Sequence, residues 1–114
     1  MLPKHSRLSR ELFLATFKRS RRIRGVGFQL LYAPAPVFQV SVVVAKKIVP
    51  HAVGRNYIRR RVYTFLHFYT EKTSLQGRYI VMLSPESKKH SLEALLSSLA
   101  EILPQTLPHK PHSR

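Results

Sequence analysis

Residues 45–61 read AKKIVPHAVGRNYIRRR, which sets Lys46, Lys47, Arg55, Arg59, Arg60 and Arg61 close together, with Asn56 beside the first arginine. No acid lies between Glu11 and Glu71 to offset them. Cations at this density repel one another, so their chemistry is that of a phosphate receiver: arginine offers planar, bidentate donors and lysine a compact point charge. Apart from His51, the same stretch contains no group that makes or breaks bonds. A metal nuclease needs carboxylates gathered around magnesium. This chain has no aspartate, and its five acids, Glu11, Glu71, Glu86, Glu93 and Glu101, are scattered. Its six histidines form no pair at i, i+4, and it has no cysteine, which excludes disulfides and thiolate metal sites. His51 and His67 have the chemistry of phosphate-side donors or of an acid–base pair, but nothing in the sequence orients them. No catalytic residue and no metal ligand is therefore expected on the protein.

The whole composition leans the same way. Twenty Lys and Arg against five acids give a formal +15 over 114 residues. Such an excess destabilises a compact chain by self-repulsion unless a polyanion neutralises it. Nucleic acid is the first candidate and a membrane surface the second. Apolar residues make up 44% and charged ones 22%, so the chain can collapse around a core and is not a disordered polycation. The length suits one domain. The start, MLPKHSRLSREL, has no apolar signal region, and no run approaches the ~18 apolar residues of a membrane span. A soluble, cytoplasmic protein without membrane contact is expected.

The elements that must position these cations can be read from periodicity. SRELFLATFK predicts a short amphipathic helix with Leu12, Phe13, Ala15 or Thr16, and Phe17 on neighbouring positions, Ser9 as N-cap and Glu11 in the first turn. KRSRRIRGVG reads as a connector or a ragged edge strand. FQLLY (28–32) and VFQVSVVVA (37–45) read as strands, interrupted by APAP and expected to pair as an antiparallel hairpin. From Arg55 to about Thr70 the period becomes helical, with Ile58, Val62, Phe65, Leu66 and Tyr69 on the inner stripe. The row Asn56, Arg60, Tyr63, His67 then points outward, while Arg55 and Arg59 flank one side of the stripe and Arg61 the other. RYIVMLS (78–84) is a strand stopped by Pro85. SLEALLSSLAEIL is an amphipathic helix capped by Ser91, and PQTLPHKPHSR a disordered tail. The reading is one α+β domain over 1–103, order αββαβα, followed by a tail over 104–114. Cations in the first turns of a helix oppose its dipole by ~0.3 to 1 kcal/mol each, whereas free N–H groups there suit a phosphate. Local stability is given up where a functional site would gain.

With these residues in place, the sequence resembles the protein component of bacterial ribonuclease P over roughly residues 3 to 103. The family pattern is a strand ending in Ser-Lys-Lys, a loop ending in Ala-Val, and Arg-Asn-Arg-x-x-Lys-Arg opening a long helix. VVVAKKIVPHAVGRNYIRR matches it at Lys46 and Lys47, Ala52 and Val53, Arg55 and Asn56, Arg59 and Arg60. It departs from it at Val43, Ala45, Tyr57 and Tyr63. The resemblance implies a subunit that binds a catalytic RNA and the single-stranded 5′ leader of precursor tRNA, with cleavage carried out by the RNA and its magnesium and no metal held by the protein alone. It implies an RNA face at Lys46, Lys47, Arg55, Asn56, Arg59, Arg60 and Arg61, and a leader cleft between the first helix and the sheet at Phe13, Phe17, Tyr32 and Lys47. It also implies a left-handed crossover into a parallel third strand, and a monomer when free. Two other classes share the basic composition: a ribosomal or other structural RNA-binding protein, and a nuclease acting alone.

Overall fold

The computed structural model of the chain describes residues 7–106. Helix α1 (Arg10–Arg19) leads into strands β1 (Arg21–Gly25), β2 (Phe28–Ala33) and β3 (Phe38–Val43). The long helix α2 (Ala52–Thr73), strand β4 (Gly77–Leu83) and helix α3 (Leu92–Ile102) follow, with 3-10 turns at Pro85–Lys89 and Leu103–Thr106. The α+β class and the expected order hold, and the basic stretch after α1 is resolved as an edge strand. Local chemistry sets the helix ends. Ser9 Oγ accepts from the Leu12 N–H at 3.2 Å and Ser91 Oγ from the Ala94 N–H at 3.1 Å. At the far end of α2, Ser74 turns left-handed with φ 54° and donates its N–H to the Thr70 carbonyl.

The sheet runs β1-β2-β4-β3, with β4 antiparallel to β2 and parallel to β3. The hairpin expected between the strands at 28–32 and 37–45 is therefore not formed. β4 takes the place between them because its centre, Tyr79, Ile80 and Val81, is buried on both faces. Only an inner strand offers that burial. The hairpin that does form joins β1 to β2, with Gly25 opposite Phe28 and Gly27 at φ 79° in the turn.

Strand alternation separates two faces. Phe28, Leu30, Val40, Val42, Tyr79 and Val81 face α2 and α3, meeting Val62, Leu66, Leu95 and Leu99 in the main core. Leu31 and Ile80, opposite each other in register, are fully buried but belong to the other face. α1 lies across β2 and β4 there, with Thr16 as its buried residue. Each such buried aliphatic stabilises the fold by ~1.5 to 3 kcal/mol relative to exposure.

The outer edge of β3 is closed from both neighbours: Leu8 donates its N–H to the Val40 carbonyl at 3.1 Å, and the Val42 N–H is accepted by the Tyr63 hydroxyl at 3.2 Å. Tyr63 is thus turned toward the sheet and not outward as its place in the sequence suggested. An unpaired strand edge demands a partner more strongly than a phenol demands water. Residues 104–106, assigned by composition to the tail, form the closing 3-10 turn, where the Thr106 hydroxyl lies 2.8 Å from that of Tyr79. The rest of that tail, residues 107–114, lies outside the described residues.

Candidate nucleic-acid interface

The cationic end of α2 is assembled from the backbone outward. After β3 the chain makes a turn in which Ile48 and Val49 both donate their N–H groups to the Ala45 carbonyl. Ile48 is buried, which anchors the turn and leaves Lys46 and Lys47 exposed beside it. α2 then starts at Ala52 with no side-chain cap from His51 and no acid in its first turn. The first helical hydrogen bond is Arg55 N–H to the His51 carbonyl, so the N–H groups of Ala52, Val53 and Gly54 precede the helical ladder. This end presents backbone donors and a positive dipole together.

The arginines divide into separate tasks. Arg55 turns back and donates from Nη1 to the carbonyls of Val49 at 3.0 Å and Pro50 at 2.8 Å, holding the loop that leads into the helix. Arg59 donates to the Asn56 side-chain oxygen one turn earlier. Arg61 donates to the Tyr57 hydroxyl at 2.7 Å, lies 5.7 Å over that ring, and forms an ion pair of 3.5 Å with Glu93 of α3. The Tyr57 hydrogen bond first, and Glu93 after it, hold the Arg61 guanidinium above its ordinary high range. Arg60 is exposed and makes no hydrogen bond or ion pair among the described residues. Arg61 thus has an acid partner after all, contributed by another helix, which an inspection of the α2 sequence could not find.

Of the four residues expected to line a cleft, the structure brings two together. Phe13 and Phe17 stack with ring centroids 6.2 Å apart and planes 11° apart, and Phe17 is 38% exposed. Lys47 stands exposed in the turn beyond β3. Tyr32 does not share this face. It pairs in register with Tyr79, stacks on that ring at 6.4 Å and packs against the α2/α3 core. The reason is the period of a strand: one residue along, the side chain points to the other side. The α1 face of β2 instead carries Gln29, Leu31 and Ala33.

The same alternation brings in residues that the sequence reading passed over. Arg22 and Arg24 stand opposite Leu31 and Gln29, hence on the α1 face, and the Arg22 guanidinium lies 5.5 Å over the Phe17 ring. The signal was present as Arg-Ile-Arg, an alternating triplet with the isoleucine facing the core. Beyond α1 the sheet continues with Gln29, Met82 and Val43 in register, all half-buried. A partly exposed aromatic pair flanked by arginines offers stacking for unpaired bases and charge for the backbone between them.

Among the described residues no group of three or more His, Cys, Asp or Glu lies close enough to hold a metal ion, and no helix is long and apolar enough to cross a membrane.

A family model described as Ribonuclease P matches residues 2–106. The chain belongs to the ribonuclease P protein family. The RNase P protein from Staphylococcus aureus is similar in structure with a TM-score of 0.73 and 21% identity, over 88% of this chain and 94% of that one. The RNase P protein from Thermotoga maritima is similar with a TM-score of 0.66 and 18% identity, over 90% of this chain and 98% of that one. At these identities the likeness concerns the fold. No curated protein matches the chain in sequence.

Proposed function

We propose that this chain is the protein subunit of a bacterial ribonuclease P, working in the cytoplasm as a monomer until it meets its RNA, and that it binds both the catalytic RNA and the single-stranded 5′ leader of precursor tRNA. The observation that carries this reading is the cationic junction: an uncapped helix N-terminus, two exposed lysines and Arg60 without an intramolecular partner among the described residues. Lys46, Lys47, Asn56, Arg59, Arg60 and Arg61 form the surface for the RNA subunit, and Arg55 keeps the loop between the lysines and the helix in one conformation. Phe13 and Phe17, with Arg22 and Lys47, take the leader.

Cleavage belongs to the RNA partner in this reading, and magnesium is its cofactor. The protein contributes position and charge neutralisation, by holding the leader against one face while the RNA subunit is held by another. Mixing the full chain with its cognate catalytic RNA at low magnesium should accelerate leader removal, and Phe17→Ala should weaken binding of precursor with its leader while leaving mature tRNA unaffected. Absence of any acceleration across the full range of protein concentration rules the subunit role out. Binding that survives without acceleration would instead identify a structural RNA-binding protein.

A further inference from the structure

The two flanks of α1 differ. A step of two residues turns a helix by ~200°, so Ala15 and Arg19 lie on the side away from Phe13 and Phe17. On that side a groove of about 580 Å3 opens between α1 and the end of the sheet, bounded by Thr16, Lys18, Arg19, Ala33, Pro34 and Arg78. Its charged lining is entirely positive. Arg78, half-buried on β4, donates from Nε to the Gln39 side-chain oxygen at 3.4 Å, which fixes its direction. Thr16 is only 2% exposed, and its hydroxyl has no hydrogen-bond partner.

The helix dipole explains part of this. Lys18 and Arg19 in the last turn of α1 are favoured by ~0.3 to 1 kcal/mol each. It explains neither a third cation arriving from a strand nor a buried hydroxyl left unpaired, which costs ~1 to 3 kcal/mol. Both make sense if the groove receives an anion with hydrogen-bond acceptors. Ala33 and Pro34 give its floor no aromatic ring on which a base could stack, so the backbone of a nucleic acid fits this groove better than its bases.

We propose that this groove is a second RNA site, holding the phosphates of a single-stranded segment through Lys18, Arg19 and Arg78, with the Thr16 hydroxyl donating to a phosphate oxygen. The inference rests on the reading of the chain as an RNA-binding subunit. It makes α1 a divider, with stacking contacts on its Phe17 flank and phosphate contacts on its Arg19 flank.

The test uses the full chain and a fluorescent single-stranded uridine 12-mer, without catalytic RNA. Arg78→Gln and the double variant Lys18→Gln/Arg19→Gln should each weaken binding about three- to tenfold and lower the log–log salt slope by about 0.7 per cation removed. Thr16→Val should weaken binding about two- to fivefold with an equal or higher melting temperature, since the unpaired hydroxyl is gone. Lys88→Gln, outside the groove, should change affinity less than twofold. Wild-type affinity and slope in both groove variants overturn the site, as does a Lys88→Gln loss equal to that of Arg78→Gln, which would reflect net charge only. Thr16→Val that gains stability at unchanged affinity overturns the role of the hydroxyl. A chain that binds through the groove yet never accelerates leader removal refutes the subunit reading and leaves this site standing.

Discussion

The main-chain N–H of Val42, facing out of the free edge of β3, is taken up by the Tyr63 hydroxyl at 3.2 Å. One phenol thereby ties the middle of α2 to the strand that ends just before Lys46 and Lys47. The arginines on the helix and the lysines after the strand are held in one frame by it. Tyr63→Phe keeps the ring and removes the acceptor. Stability should fall by about 0.5 to 1.5 kcal/mol, read as a lower urea midpoint at constant slope. An unchanged midpoint would mean that water satisfies the Val42 amide equally well.

Arg55 and Arg60 sit in the same basic run but should respond in opposite assays. Arg60→Glu touches no intramolecular partner among the described residues, so the melting temperature should hold or rise, because the change reduces the self-repulsion of a chain with a formal charge of +15. Its affinity for the RNA subunit should drop tenfold or more, with a shallower salt dependence. Arg55→Gln loses the bonds to the Val49 and Pro50 carbonyls and should cost about 1 to 3 kcal/mol of stability. Calorimetry and a salt titration on both variants distinguish the roles, and identical profiles would contradict the division.

Gly27 closes the β1–β2 hairpin at φ 79°, and a Cβ there would come 3.0 Å from the Ser87 Cα. Gly27→Ala meets both a left-handed backbone and a neighbouring main chain. A loss of at least about 1 to 2 kcal/mol is expected from conformation alone. A thermal melt as high as that of the parent would show that the 3-10 turn at Pro85–Lys89 moves aside freely.

Burial pushes the Tyr79 phenol above its ordinary range, and Tyr69 is raised for the same reason. The folded state therefore keeps protons that the unfolded chain releases near pH 10, the ordinary tyrosine value. Stability from this source is complete below about pH 10 and declines as pH rises through the higher folded values. Ultraviolet titration should show part of the five tyrosines ionising late, with unfolding midpoints falling over the same alkaline interval. Simultaneous ionisation of every tyrosine in the native protein would refute it.

What could be read from the chain alone followed the range of the forces involved. Ser9 and Ser91 caps, the inner stripe of α2 and the apolar face of α3 are set by residues within a few positions of one another, and all of them appear where the periodicity puts them. The pairing of β2 with β4 in place of β3 depends on contacts about fifty residues apart, for which the local pattern has no signal. The placement of Tyr32 failed on a difference of one residue, since period-2 alternation reverses the face with each step. Arg22 and Arg24 carried no assigned role because their run reads equally as a connector or an edge strand; Ile23 between them, packed against the core, makes it the strand. The partnership of Arg61 with Glu93 needed the packing of two helices.

β4 is the last strand of the chain to be made and the one at the middle of the sheet. On a translating ribosome, β3 and the inner edge of the β1–β2 hairpin must wait, apolar and without their sheet neighbour, until Gly77–Leu83 has emerged. A product cut short before Gly77 would keep both lysines and every arginine of the basic junction yet lack the scaffold that aims them. Such a fragment would be a sticky polycation. The order of synthesis therefore delays the fixed arrangement of these cations until β4 has been made.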